Sequence, residues 1–247
     1  MARREKARDD RDYDTTQLHE GVHGRSLHRD YSAHFWRWSF ARRFITINDH
    51  VLEIGCGEDR PLSKILTGGA APHVSTYVGV DLNRLKPSGS QRLTFIGEFN
   101  FVERHKEIIK LRPEGYDVLV HLEVLEHIKV KHGAKFLKAC HALLKPGGLM
   151  LMSTPCYDGM RHAANHIHEY TVPELQRTVE KAGFIVDRRF GTFMDVKHVK
   201  KEGSKAVAEV YTALSAYYDN DALSCFFAPL FPDHARNNLW ICHKKGA

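Results

Sequence analysis

The sequence predicts an α/β protein whose mainly parallel sheet is covered by helices on both faces. Three observations predict it. Short apolar segments alternate with longer amphipathic ones from Val51 to Arg188, the pattern that crossover helices between parallel strands produce. The first apolar segment, Val51–Ile54, runs straight into Gly55-Cys56-Gly57, and such glycines let a strand turn sharply toward a helix. A Lys145-Pro146-Gly147-Gly148 stop separates a helical stretch from the next apolar one.

The elements follow in order. Residues 1–27 are expected to form a mobile tail, since Met1 to Thr16 mix both charge signs with few apolar groups. From His28 to Ile45, Tyr31, Phe35, Trp38 and Arg42 fall at helical spacing, with Trp36, Phe40 and Phe44 nearby. This predicts a helical cap over residues 28–47, either a packing helix or a wall over a substrate site. Strands are expected at Val51–Ile54, Tyr77–Val80, Leu93–Ile96, Tyr116–His121, Leu149–Ser153 and Phe184–Arg188. Helices are expected at Pro61–Leu66, Phe101–Leu111 and His132–Leu144. A further helix runs from Thr171 to Gly183, with Thr171 and Glu174 at capping-box spacing. Beyond Gly191, in a C-terminal extension (191–247), Lys205–Tyr217 reads as a helix and Leu239–His243 as a last strand. No repeat or low-complexity linker divides the chain, so residues 28–247 are read as one domain.

Composition narrows the function classes. The chain has 247 residues, 43% hydrophobic and 27% charged, enough for one α/β domain with a full core. No run approaches the roughly 18 apolar residues of a membrane helix. The N-terminus lacks the apolar core of a secretory signal. Five scattered cysteines with no Cys-x-x-Cys pair predict reduced thiols in a cytoplasm. The net charge of +6 is compatible with a polyanionic partner, but the basic residues are spread along the chain and read equally as a solvated surface.

The chemistry concentrates at the ends of the predicted strands. Glu53 precedes the glycine loop, and Val78-Gly-Val-Asp81 places an acid at the end of the second strand. A carboxylate there can accept hydrogen bonds from ribose hydroxyls. After the fourth strand comes His121-Leu-Glu123-Val-Leu-Glu126-His127. If a helix begins there, Glu123, Glu126 and His127 share one face. They can then act as acid and base, or hold a divalent cation. After the fifth strand, Arg161-His162-Ala-Ala-Asn165-His166-Ile-His168-Glu169 supplies further imidazoles at the same sheet edge.

Leu52-Glu-Ile-Gly-Cys-Gly, Val80-Asp81 and Leu144-Lys-Pro-Gly-Gly-Leu together resemble the motifs of class I S-adenosylmethionine-dependent methyltransferases. The resemblance covers about Val51 to Arg188. It implies a Rossmann-like, doubly wound, seven-stranded sheet, mostly parallel, with one antiparallel strand near the C-terminus. It also implies S-adenosylmethionine as cofactor, held by Glu53, Gly55, Gly57 and Asp81, with Glu98 on the adenine side. Cys56 in the loop, Leu82 after Asp81 and His121 ending the fourth strand are further candidate cofactor contacts. One departure is Asp59, which stands where many members have a third glycine. It also argues against a dinucleotide site, which needs that glycine for close helix packing.

The Glu-x-x-Glu-His element followed by His166 resembles two groups within the family: the ubiquinone-biosynthesis O-methyltransferases and the enzymes that methylate the terminal 2′-hydroxyl of small RNAs. The second group implies a divalent cation, magnesium or manganese, on Glu123, Glu126, His127 and His166. Glu126, His127 and His166 are the candidate catalytic residues, with His127 or His166 as base. Pro155-Cys156 is out of place for a cytosine-C5 nucleophile, and the fourth strand lacks the Asn/Asp-Pro-Pro-aromatic motif of amino-methylating DNA enzymes. Three readings stay open: a small-molecule O-methyltransferase, an RNA or DNA methyltransferase of the 2′-O type, and a non-catalytic cofactor-binding protein.

Overall fold

The computed structural model describes residues 29–68, 73–88, 90–157, 159 and 165–246, with side chains from Ala33 onward. The tail expected over residues 1–27, and Arg161 and His162, lie outside them. The elements run α1 (Arg29–Arg42), β1 (His50–Ile54), α2 (Pro61–Thr67), β2 (Thr76–Val80), β3 (Leu93–Ile96), α3 (Phe101–Leu111) and β4 (Tyr116–Leu122). They continue with α4 (Val130–Leu143), β5 (Leu144–Pro155), α5 (Val172–Lys181), β6 (Phe184–Met194), α6 (Lys197–Glu202), α7 (Lys205–Leu214), α8 (Asn220–Phe227) and β7 (Ala235–Lys244).

The seven strands form one sheet in the order β3-β2-β1-β4-β5-β7-β6. β1 to β5 pair in parallel, and β7 is antiparallel to both of its neighbours. β7 is therefore the single reversed strand, as the resemblance implied. The strands alternate their side chains between two cores, as a sheet buried on both faces must. Leu52, Ile54, Leu119, Met150 and Met152 face Phe136, Leu137 and Leu175 from α4 and α5. Val51, Tyr77, Val118, Val120 and Leu151 face Ala41 of α1 and Leu62 and Leu66 of α2. Met194, Val199, Tyr211, Leu223 and Phe227 make a third, smaller core in the insertion between β6 and β7. Among the described residues no helix is long and apolar enough to cross a membrane.

Three features differ from the sequence reading. First, α1 does not bury the face of Phe35 and Arg42, which are exposed; Ala33, Arg37, Ala41 and Ile45 are buried instead. Large side chains at helical spacing misled the reading, because small Ala33 and Ala41 let the helix approach its neighbours closely. Second, the residues directly after β4 that carry Glu123, Glu126 and His127 do not form an α-helix. Glu123 has φ of 57°, and Leu125–His127 form a single 3₁₀ turn. Third, Pro146-Gly147-Gly148 lies within the irregular first part of β5, where the register with β4 shifts between Tyr116 and Val118. Thr171 does cap α5 with the expected reciprocal pair to Glu174.

Candidate active site

The C-terminal ends of the parallel strands gather the predicted residues. Among the described residues, the non-glycine residues with positive φ are Arg60 (51°), Glu98 (52°) and Glu123 (57°). They follow β1, β3 and β4, so backbone strain is concentrated on this one edge, as at ligand sites. Gly55 has φ of 74°, and a Cβ there would stand 2.5 Å from Val124 Cγ2. Its lack of a side chain lets the glycine loop pack under the turn that carries Glu126 and His127. Gly57 has φ of 70° but faces open space, with no heavy atom within 4 Å of an added Cβ. A ligand can approach its backbone there.

Asp81 anchors this loop. Its Oδ2 accepts from the Gly57 N–H at 2.7 Å and its Oδ1 from the Asn83 N–H at 2.8 Å. A carboxylate has about four lone pairs, so Asp81 retains acceptor capacity for ribose hydroxyls. Burial raises its pKa, and those two N–H bonds oppose the rise. Glu53 is wholly buried and accepts from the Tyr77 hydroxyl. Burial pushes its carboxyl up to about 8. Cys56 is buried beneath the loop, its thiol raised by burial and then by Glu53 and Asp81. Leu82 is half-buried and Glu98 exposed on the same edge. The open face above Gly57, beside an anchored acid, fits the nucleoside and amino-acid parts of S-adenosylmethionine.

His121 sits at the end of β4, fully buried, its ring edge-on to Phe136 at 5.0 Å. Neither nitrogen has a hydrogen-bond partner among the described residues. Burial drives its pKa down to about 3, so the ring is neutral.

The second half of the site lies where the 3₁₀ turn meets the loop before α5. The backbone carbonyl of Glu126 accepts from the N–H groups of Ile167 and His168 at 2.9 and 3.1 Å. That clamp brings His166 beside His127, with ring centroids 5.2 Å apart. His127 Nδ1 lies 3.2 Å from the Asn165 carbonyl. A carbonyl can only accept, so Nδ1 carries the proton and Nε2 the lone pair. His166 Nδ1 lies 2.6 Å from Glu169 Oε1, which fixes the same tautomer. Arg236 in turn holds Glu169, donating to both carboxylate oxygens at 2.7 and 2.8 Å. The carboxyl of Glu126 is buried and accepts from Thr154 Oγ1 at 2.9 Å through Oε2. Its Oε1 has no hydrogen-bond partner among the described residues. Burial first, then the Glu123 charge, raises the Glu126 pKa well above the usual carboxylate range.

Glu126, His127 and His166 each offer a ligand atom within 4.8 Å of the others. One orphaned buried oxygen and two imidazoles with fixed tautomers fit a divalent cation. Glu123 is not in this set. Its carboxylate accepts from Ser153 Oγ at 2.7 Å and Asn237 Nδ2 at 2.8 Å, and it pairs with Arg37 at 3.5 Å. Cys156 is also removed from chemistry, buried in an isolated bridge with Tyr170, its thiol pushed up to about 12. His168 turns to Glu174 at 3.3 Å.

Arg37, Ser153, Thr154, Glu169, Arg236 and Asn237 were not singled out from sequence. Ser, Thr, Asn and Arg at these places have no distinguishing spacing. One signal existed for Glu169, three residues after His166 in a loop already marked as functional.

The methyltransferase domain family matches residues 28–188. A sphingolipid C9-methyltransferase from Gibberella zeae is 24% identical over 189 residues, 71% of this chain and 35% of that protein. A ubiquinone biosynthesis O-methyltransferase from Dechloromonas aromatica is 32% identical over 108 residues, 42% of this chain and 43% of its own. The chain thus spans less than half the length of these two relatives. A solved S-adenosylmethionine-dependent methyltransferase from Archaeoglobus fulgidus shares the fold, with a TM-score of 0.57 at 15% identity over 88% of this chain and 95% of that one. With its family match over residues 28–188 and its sheet order, the chain belongs to the methyltransferase domain family and has the class I S-adenosylmethionine-dependent architecture.

Proposed function

We propose that this chain transfers a methyl group from S-adenosylmethionine to a hydroxyl of a small molecule, with assistance from a divalent cation; two imidazoles and one carboxylate suit manganese better than magnesium. The observation that carries the reading is the pair of imidazoles at the sheet edge. His127 and His166 each have Nδ1 turned to an acceptor, beside the unpartnered buried oxygen of Glu126. When bound, S-adenosylmethionine supplies a methyl group on a sulfonium. Gly55, Gly57 and Asp81 hold and orient the donor. His127 or His166 receives the acceptor's hydroxyl proton on Nε2 as the oxygen–methyl bond forms and the sulfur–methyl bond breaks. Glu169 and Arg236 keep the His166 ring in position and stabilise its charged form. A cation held on Glu126, His127 and His166 would instead occupy the Nε2 lone pairs; it would then take the place of the base by lowering the hydroxyl pKa so that the proton leaves to water, and would favour ionised Glu126.

The test is a labelled-methyl assay on cell extract divided into small-molecule, protein and nucleic-acid fractions, with and without chelator. Label is expected in the small-molecule fraction. His166→Ala and Glu126→Ala are each expected to reduce turnover about a hundredfold or more, with S-adenosylmethionine binding by calorimetry retained. Label confined to nucleic acid would replace the proposal with the 2′-O reading. Unchanged turnover in both variants, with and without chelator, would remove the base and cation roles. No cofactor binding would leave the non-catalytic reading.

A further inference from the structure

A second cluster of metal-ligating side chains lies in the β6–β7 insertion. His198 and Glu202 stand four residues apart on α6, on one helical face. The 3₁₀ turn Pro232–His234, just before β7, presents His234 to them. Glu202 Oε1 lies 3.2 Å from His198 Nδ1, and its Oε2 contacts His234 Nε2. The two imidazoles stack, with centroids 4.2 Å apart and planes 15° off parallel. One ligand atom from each residue lies within 4.8 Å of the others.

The geometry points to a binding site for one borderline divalent cation, zinc in the first instance, on His198, Glu202 and His234. Two imidazole nitrogens and one carboxylate oxygen form a donor set suited to zinc and its neighbours. An all-oxygen set would be needed to favour magnesium or calcium. The three side chains are 22–33% exposed, so an ion can enter without unfolding. Two of the lysines on α6 turn to other groups: Lys197 pairs with Asp195 at 2.9 Å and Lys200 lies over the Tyr211 ring.

The site has a structural consequence. Pairing of Met194 with Ala235 already closes the base of the insertion. An ion would fix α6 to that base, and α6 carries Val199, a buried member of the insertion's core. From that core α8 packs against α1, the helix whose Arg37 reaches Glu123. The cation would therefore brace the insertion, and through it α1, without touching Glu126, His127 or His166.

The experiment uses the full chain stripped of metal and titrated with zinc chloride against a chromophoric chelator. Cobalt substitution supplies a ligand-field spectrum as a second readout. Wild type, His166→Ala, His234→Ala and Glu202→Gln are compared, with S-adenosylmethionine binding reporting that each is folded. One zinc equivalent is expected in His166→Ala, which lacks a ligand of the other cluster. His234→Ala and Glu202→Gln are expected to weaken that equivalent by at least about tenfold, since even an outer-shell partner of a metal ligand commonly contributes that much. The cobalt spectrum should change with them and not with His166→Ala. Should His234→Ala fail to fold, Glu202→Gln decides alone. Zinc affinity unchanged by both substitutions, abolished by His166→Ala, or absent in wild type overturns the proposal.

Discussion

His121 and Glu53 are both wholly buried, and burial moves their pKa values in opposite directions. The folded protein holds His121 near 3, against about 6.5 in the unfolded chain. Between those values the unfolded state binds the extra proton, so stability present above pH 6.5 is lost as pH falls toward 3. Glu53 has the reverse sign. Its folded pKa of about 8 lies above 4.5, so its contribution is full below pH 4.5 and lost as pH rises to 8. His121→Leu removes only the first of these. Its urea-unfolding free energy is expected to fall less steeply than that of wild type between pH 6.5 and 4.5. Equal slopes would show that the ring finds a partner absent from this picture. At this scale the sequence was partly legible. Glu53, Asp81, Glu126, His127 and His166 stand out because acids, imidazoles and glycines at strand ends carry chemistry. Arg37 does not, because a basic residue on an amphipathic helix reads as surface until the burial of Ala33 and Ala41 turns that face inward.

Helices and strands were legible wherever a physical signal bounded them. β3 and α3 match their expected limits, Leu93–Ile96 and Phe101–Leu111; Asn100 caps α3 and Pro113 follows it. β6, β7 and the far end of β5 extend beyond their apolar stretches because antiparallel pairing carries polar residues such as Asn237 and Asn238 along, while β5 starts early, at Leu144, through its irregular parallel pairing with β4. The turn at Glu123 was not legible, since the spacing of Glu123, Glu126 and His127 suits an α-helix as well as a 3₁₀ turn. The cap of α5 ties element to site. Thr171 Oγ1 accepts from the Glu174 N–H, and Glu174 also meets His168 in the His166 loop. Thr171→Ala is expected to destabilise the protein by about 1 kcal/mol, read by denaturant unfolding. It should also quicken amide exchange over residues 165–170. Protection of that loop equal to wild type would separate the cap from the site.

Across the whole molecule the five cysteines are buried and unpaired. Burial is the first cause raising every one of their thiol pKa values, to about 12 for Cys156 and Cys225. Thiolate is the reactive form, so the native protein should resist iodoacetamide at pH 8 and take up five labels only in denaturant. Rapid labelling of Cys56 alone would instead report opening of the glycine loop.

The reversed direction of β7 has a consequence in time. A parallel strand there would begin at the opposite edge of the sheet; running backwards, β7 begins at the site and delivers Arg236 and Asn237 to Glu169 and Glu123. β7 also follows every other strand in the chain and slots between β5 and β6. During synthesis the candidate site's edge therefore lacks Arg236 and Asn237 until β7 emerges and wedges into place. A chain stalled before Ala235 would present an unpaired β5 edge and a His166 without its Glu169–Arg236 support.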